Sequence, residues 1–353
     1  MPKSVIVAVS TDAKPNGSDS LDILLVSTEG AKECAVYRDL EVIKKDFPDK
    51  KVASMAAALF NQGKTTLADT LIRKVKIVGF EPPENAAALI ANIEALREKD
   101  NDFYMVLTDQ VEDSYITALA AWAESTEPTE AELGAGVEDH RKLYFGQTTN
   151  KKLAVRNRRS ILIYCDPEKV GEYADAAYLG NVGPFYPESV TWKFKRPDGI
   201  SVPDLTEAER DALEEANINF LTVEYKREFV KEGVCADGEF IDVQMGADHV
   251  AKTMREKLYD IFLSNGKIDY GDEGFAIVAS GVFQTLNEAT SLGIIATDPE
   301  SKQGVFTVKV PKFADATEDQ IKKRVMPDIT WEAQIEGAVH SSKVKGVLRA
   351  TLK

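Results

Sequence analysis

Several places in the chain put chemistry-bearing residues side by side. Gly63-Lys64-Thr65-Thr66 resembles the tail of a phosphate-binding loop. That loop needs an earlier glycine and a preceding strand, so that backbone N–H groups at a helix start face the phosphate. Ala58 stands where the first glycine belongs, and Gly63 follows a helical segment. A helix-capping glycine is the better reading. Asp248-His249 offers an acid and a base, but the other histidines, His140 and His340, are far away in sequence. There is no i, i+4 histidine pair and no HExxH, so no zinc site is expected. Ser280-Gly281 and Ser291 lack the G-x-S-x-G elbow of a serine nucleophile. Gly271-Asp272-Glu273-Gly274 lacks the further oxygen ligands of a calcium loop and reads as a tight turn opening a helix, its acids favouring the N-terminus. Cys34, Cys165 and Cys235 are widely spaced and form neither a disulfide framework nor a C-x-x-C pair. The expectation is a protein that is not an enzyme, with no catalytic residues, no cofactor and no metal. The alternative is an α/β hydrolase-type enzyme whose site residues meet only in the fold, which would require a cleft with convergent titratable groups.

These residues need elements to hold them. The chain has 353 residues, room for two or three domains at about 100–200 residues each. Hydrophobic residues make up 44% and charged residues 29%, which is globular. Lys+Arg 43 against Asp+Glu 58 gives −15, a field that disfavours nucleic acid. No apolar run approaches the ~20 residues of a membrane span. The run Val5–Val9 is too short for a secretory h-region, so synthesis in the cytoplasm is expected.

From Leu21 onward, strands alternate with helices. Strands are expected at Leu21–Ser27, Lys74–Phe80, Phe103–Thr108, Lys142–Gly146 and Ser160–Tyr164. Helices are expected at Val52–Gln62, Asn85–Lys99, Ser114–Glu124 and Glu168–Leu179. That order implies a mostly parallel sheet with helices on both faces. Thr191–Pro197 reads as a strand or edge, Thr206–Asn217 as a helix with a capping box, and Phe220–Val230 as a strand pair. The loop Gly233–Gly238 marks a boundary. Beyond it lie a long helix over about Asp248–Ser264, a helix Asp272–Leu292, a strand Val305–Val310, a short basic helix Thr317–Val325 and a strand Ile329–Ile335. The fold class is therefore α/β plus α+β, divided as 1–20, 21–236, 237–340 and 341–353.

Charge is segregated within the first of these large regions. Val111 to His140 holds eight acids and no Lys or Arg, while Arg141 to Cys165 holds seven bases and no acid. Two solvated faces would account for this. So would complementary patches on identical neighbours, with Arg158 and Arg159 opposite Glu130 and Glu132.

The two ends are the most informative feature. Val5, Val7 and Val9 belong to a short β-branched strand cut off by the polar linker Thr11–Ser20. At the other end Val344, Gly346, Leu348, Ala350 and Leu352 share one face of an alternating strand. A lone strand must join a sheet, its own or a neighbour's, to satisfy its backbone groups. Joining a neighbour's sheet would make these strands inter-subunit arms.

Residues 233 to 353 resemble the C-terminal region of sheath proteins of contractile phage tails and R-type tail-like bacteriocins. The likeness is carried by Gly233–Asp242, Asp248-His249-Val250, Ile268-Asp269-Tyr270 before Gly274, and Ala289 with Gly293. It continues through Arg324–Ile329, Ala333, Gly337-Ala338-Val339-His340 and the terminal strand. Residues 21–232 match more loosely the subtilisin-like α/β domain of such proteins, which is non-catalytic there. The chain is short for the family and looks closest to the small sheaths of clostridial-type phages and diffocin-like bacteriocins. The resemblance implies a homo-oligomer of stacked hexameric rings around a tail tube, joined to a baseplate and a terminator or collar. It implies a place in a virion or phage-tail-like particle, with no nucleic acid bound and no membrane insertion. It also implies a tube-proximal C-terminal domain, in which Lys322, Lys323 and Arg324 are candidates to face the tube.

Overall fold

The first described strand, β1 (Ile23–Ser27), is buried along its whole length. Ile23 and Leu25 enter one apolar cluster while Leu24 and Val26 enter another. A strand that is apolar on both faces must be covered on both. The computed structural model describes residues 23–62, 72, 74–129, 131–132, 140–183 and 190–341. Both expected terminal strands, with Val5, Val7, Val9, Val344, Leu348 and Leu352, lie outside these residues, as do Thr11–Ser20 and Gly63–Thr66.

β1 sits inside a six-stranded sheet of order β2-β3-β1-β4-β5-β6, formed with β2 (Lys32–Tyr37), β3 (Val75–Gly79), β4 (Met105–Thr108), β5 (Leu143–Thr148) and β6 (Ser160–Tyr164). Every neighbouring pair is parallel except β2–β3. One face is covered by α1 (Leu40–Asp46), α2 (Lys51–Phe60) and α5 (Ala174–Val182). The other is covered by α3 (Ala86–Arg97), α4 (Asp113–Ser125) and α6 (Glu207–Glu215). α5 lies so close to α2 that a Cβ on Gly180 would stand 2.3 Å from the Leu59 carbonyl oxygen, so only glycine fits there.

Both sheet edges are protected. β2 carries charged residues and a register shift between Lys32 and Ala35, which discourage further pairing. At the other edge Asn219 bridges to Ile163. Its side chain donates to Leu162 O (3.0 Å) and Val234 O (2.8 Å) and accepts from the backbone N–H groups of Gly233 (2.7 Å) and Val234 (2.9 Å). Asn219 is fully buried with all of these polar contacts satisfied.

Parts of this region differ from the expectation. β2 and α1 were not anticipated, because an edge strand with Lys32, Glu33 and Cys34 lacks an apolar run. The helix expected over Glu168–Leu179 is two pieces: a 3-10 segment Pro167–Glu172, then α5, separated by Tyr173 in the left-handed region at φ 51°. Thr191–Pro197 is irregular, with Phe194 at φ 63°, although Phe194 N and Lys195 O still bond to Val230 at 3.0 and 2.7 Å. The capping box at Thr206 forms as expected, closed by Glu209. Phe220–Val230 is the hairpin β7 (Leu221–Glu224) and β8 (Arg227–Val230).

A separate apolar cluster lies beyond the sheet. It is built on α7 (Ile241–Ser264) and α8 (Asp272–Ser291), with β9 (Phe306–Lys309) and β10 (Thr330–Ala333) laid over it. α7 has 24 residues, about 36 Å of helix. It begins at Ile241, well before the expected start at Asp248. Its first turns bury the polar Asp242, Gln244 and Asp248, which hide the helical period in the sequence. Ile241 and Met245 join the sheet's core, whereas Val250, Met254 and Leu258 join the second one. One continuous helix thus belongs to both lobes.

Asp175, at the start of α5, provides a pH test. It is 2% exposed and accepts the local Ala176 N–H at 2.8 Å, and burial outweighs its backbone hydrogen bonds and pushes it up to about 7. Since the folded value exceeds the unfolded one, ionisation of Asp175 disfavours the fold. This contribution weakens stability as pH rises from about 4 to about 7, and the loss persists above that. Asp175→Asn should raise unfolding free energy by a few kcal/mol at about pH 8 and much less at about pH 4. Urea denaturation at the two pH values measures the difference.

Candidate functional site

The α/β body and α7 are joined through buried charge. Arg159 precedes β6, Tyr104 precedes β4 and Glu127 follows α4, so all three stand where the parallel strands begin. Arg159 and Asp248 of α7 are 0% and 1% exposed. The guanidinium donates to both Asp248 carboxylate oxygens, at 2.6 and 3.1 Å, and its Nε donates to Glu127 at 2.9 Å. Tyr104 Oη donates to Asp248 at 2.5 Å and Gln244 Nε2 donates to it at 3.2 Å. Arg141 approaches Glu127 at 3.9 Å. Burial opposes the Arg159 charge, but the Asp248 and Glu127 carboxylates outweigh it and hold the guanidinium protonated. Burial, then the charge of Asp248, drives the Tyr104 hydroxyl well above its usual range. Asp248 therefore clamps α7, and adjoining His249 is half-buried, its pKa lowered by desolvation.

This corrects the expectation of an exposed basic block. Arg141, Lys142 and Arg159 are buried. Lys142 donates to Asn101 O at 2.9 Å and to Phe103 O, with its ammonium over the Phe103 ring. Lys151 pairs with Glu209 at 2.7 Å, Arg156 donates to Glu215 O at 2.8 Å and Arg158 lies 3.8 Å from Asp237. The complement of the block is the same chain, Glu127 of the acidic block included. Glu130 and the segment 133–139 lie outside the described residues.

Open α/β sheets usually bind ligands beyond the carboxyl ends of their strands, near the point where strand order reverses. Here that point lies between β1 and β4, and Asp109 occupies it. It accepts from Thr28 N (2.8 Å), Thr28 Oγ1 (2.7 Å) and Ser27 Oγ (3.4 Å), while Gln110 donates to Thr28 Oγ1 at 2.6 Å. Burial raises the Asp109 pKa. These groups satisfy one another. Ser280 and Ser291 donate to carbonyls of their own helix, and Asp272 accepts from Phe313 N at 2.6 Å. Burial raises the thiols of Cys165, to about 12, and Cys235. Among the described residues no cluster of three or more His, Cys, Asp or Glu side chains is placed to hold a metal.

The second lobe presents a different kind of site. β9 and β10 form a two-stranded antiparallel sheet, with Phe306, Val308, Trp331 and Ala333 against the second core and Thr307, Lys309, Thr330 and Glu332 outward. Among the described residues no named strand pairs with either outer edge. A sheet of this size is marginal alone and offers unpaired N–H and C=O groups to an incoming strand. Nearby, α9 (Glu318–Lys323) carries exposed Lys322 and Lys323, which pair with Glu318 (3.5 Å) and Asp319 (2.8 Å) one turn earlier. Arg324 caps the helix at φ 57°.

The α/β body is thus clamped to a second lobe whose two-stranded sheet has no further named strand on either side among the described residues. Neither a scan of family models nor a search of curated proteins finds a match. Solved structures do. A chain of the anti-feeding prophage baseplate, symmetrised six-fold, aligns over 100% of both chains with TM-score 0.65 and 13% identity. A chain of the anti-feeding prophage helical sheath in the contracted state aligns over 99% of both, with TM-score 0.61 and 11% identity. A sheath tail protein of Listeria innocua aligns over 83% of this chain and 89% of its own, with TM-score 0.53 and 11% identity. The described residues share the mixed α/β fold of these solved chains. The hydrolase alternative gains no support from these neighbours.

Removing one partner of a buried ion pair strands the other charge, at a cost of about 3–5 kcal/mol. Asp248→Ala should lose that much stability, and Asp248→Asn, which keeps hydrogen-bonding atoms, less. Urea midpoints measure both; an Asp248→Ala protein as stable as the parent would contradict the clamp.

Proposed function

We propose that this protein is the sheath subunit of a contractile, phage-tail-like particle. It polymerises as stacked rings around an inner tube and repacks into a shorter, wider lattice that drives the tube through a target envelope. The observation that carries this reading is the β9–β10 sheet, open at both outer edges among the described residues, in a chain whose fold is similar to that of chains from tail-like particles. The terminal strands bearing Val5, Val7, Val9, Val344, Leu348 and Leu352 are the arms that complete such sheets on neighbouring copies. Main-chain hydrogen bonds bind each arm and alternate side chains set its register. Contacts of this heterologous kind build helical arrays rather than closed dimers.

In this reading residues 21–236 are a non-catalytic subtilisin-like domain, a view supported by the β2-β3-β1-β4-β5-β6 order and by the closed Asp109 cluster. Residues 237–340 form the sheath core domain. The work of contraction comes from the free-energy difference between two packings of one sequence, so no nucleotide is consumed. The long state persists through a barrier. The partners are copies of the chain, the tail tube, the baseplate and a terminator or collar, and the site of action is the particle, after synthesis in the host cytoplasm.

Negative-stain electron microscopy of the purified chain, with and without tube, tests the reading: tubes or rings are expected, and a monodisperse globule would overturn it. Deleting Lys343–Lys353 should leave a folded body with an unchanged melting temperature that forms no tubes.

Lys322, Lys323 and Arg324 are the proposed tube-facing cations. Their helix partners are exposed, so those pairs are worth only about 0.3–0.5 kcal/mol each and exchange readily for an acidic tube surface. Lys322→Glu with Lys323→Glu should weaken assembly on the tube, most strongly at low salt, and leave the melting temperature within a degree or so of the parent. Pelleting with tube over a salt series reads this; equal assembly at every salt concentration would remove the role.

A further inference from the structure

Beyond β10 the chain leaves one lobe and lands on the other. Its last tie to the second core is Glu336 N donating to Ile294 O at 3.0 Å. Residues 336–339 are exposed, Val339 at 83%. His340 alone in this stretch is half-buried. Its Nε2 shares a hydrogen bond of 2.7 Å with Thr191 Oγ1. Its ring meets Phe240 edge to face at 4.8 Å and Phe194 at 6.2 Å. Thr191 and Phe194 belong to the irregular segment beside β8, and Phe240 is the residue before α7. The strap from Glu336 to His340 thus spans the two lobes and is fastened at its far end by one side chain.

That fastening is slight. It consists of one hydrogen bond and two ring contacts, with the Asp242 carboxylate close enough to feel the His340 charge. Phe194 and Phe240 remain 48% and 38% exposed with His340 in place, so releasing it uncovers no core. We propose that His340 is a releasable peg that sets how far the C-terminal strand reaches toward a second copy of this chain. The inference rests on the sheath reading above and adds a positioning residue to it. With His340 docked, Val344 lies four residues beyond the peg, at most about 13–14 Å of extended chain. With His340 released, the tether starts at Glu336, and the span to Val344 doubles to about 26–29 Å. One strand can then serve two spacings of neighbouring subunits without leaving its host sheet.

The test uses the full chain with His340→Ala, Thr191→Val and His340→Gln, at two half-buried positions outside both cores and expected to melt with the parent. In dilute, unassembled subunits, trypsin cleavage after Lys343 and Lys345 reports release. His340→Ala should be cut about tenfold faster than the parent, Thr191→Val by a smaller factor, and His340→Gln least changed, since its amide can still bond to Thr191. Equal cleavage of parent and His340→Ala overturns the peg. In assembled tubes, His340→Ala should give a broader distribution of axial subunit spacing by electron microscopy; a distribution as narrow as the parent's overturns the control of reach. A parent chain that never polymerises defeats the sheath reading and the reach with it, while the trypsin ratio still decides the peg.

Discussion

The Arg159–Asp248 pair is the contact on which the arrangement of the chain depends. Two charges removed from water are tolerated only with near-complete compensation, and here Glu127, Tyr104 and Gln244 supply it. Such a network has one geometry. If α7 slid or turned against the sheet, Asp248 would leave the bidentate fork and Arg159 would keep only Glu127. α7 is therefore held by directional bonds at Asp248 as well as by the packing of Ile241 and Met245. Because α7 continues into the second core, the same pair orients α8 and the small sheet above it.

Rigidity within the body assigns motion to the few places that lack it. The large sheet cannot accept strands readily, since β2 is charged and irregular at one edge and Asn219 is fully bonded across the other. The β9–β10 sheet lacks both protections and keeps its outer edges open among the described residues. In the proposed assembly, the exposed chain between Glu336 and Val339 is the slack that His340 takes up. The difference between sealed and open edges would then separate the part of the molecule that holds its shape from the part that engages neighbouring copies.

Much of the fold was legible because apolar strands are short, continuous and separated by periodic helices. Buried Leu24 and Leu25, or Ile161 and Leu162, announce a doubly covered sheet from composition alone. The edge elements were harder, since β2 and α1 carry few buried residues and their structure comes from pairing and packing with β3 and α2. The charged blocks misled for a related reason. A run of bases reads as a surface unless its partners are known, and the partners of Arg159 lie at positions 127 and 248. No local pattern links those residues; only the crossing of β4, β6 and α7 brings them together. Thr191 and His340, 149 positions apart, were equally invisible as a pair.

A subunit clamped internally by buried charge has a consequence for any lattice it builds. Repacking cannot draw its free energy from within the body, because opening the Arg159–Asp248 network would cost several kcal/mol per subunit before any new contact formed. The usable free energy must lie between subunits, in contacts that can be exchanged. The exposed pairs on α9 and the partly exposed aromatic contacts of His340 are of that kind: weak, solvent-accessible and reversible. Strand pairing at an open edge is the opposite, a ladder of several hydrogen bonds that resists separation. A lattice joined by ladders and surfaced with weak contacts can change the spacing of its bodies while its connections survive. That combination is what a sheath needs in order to move without coming apart.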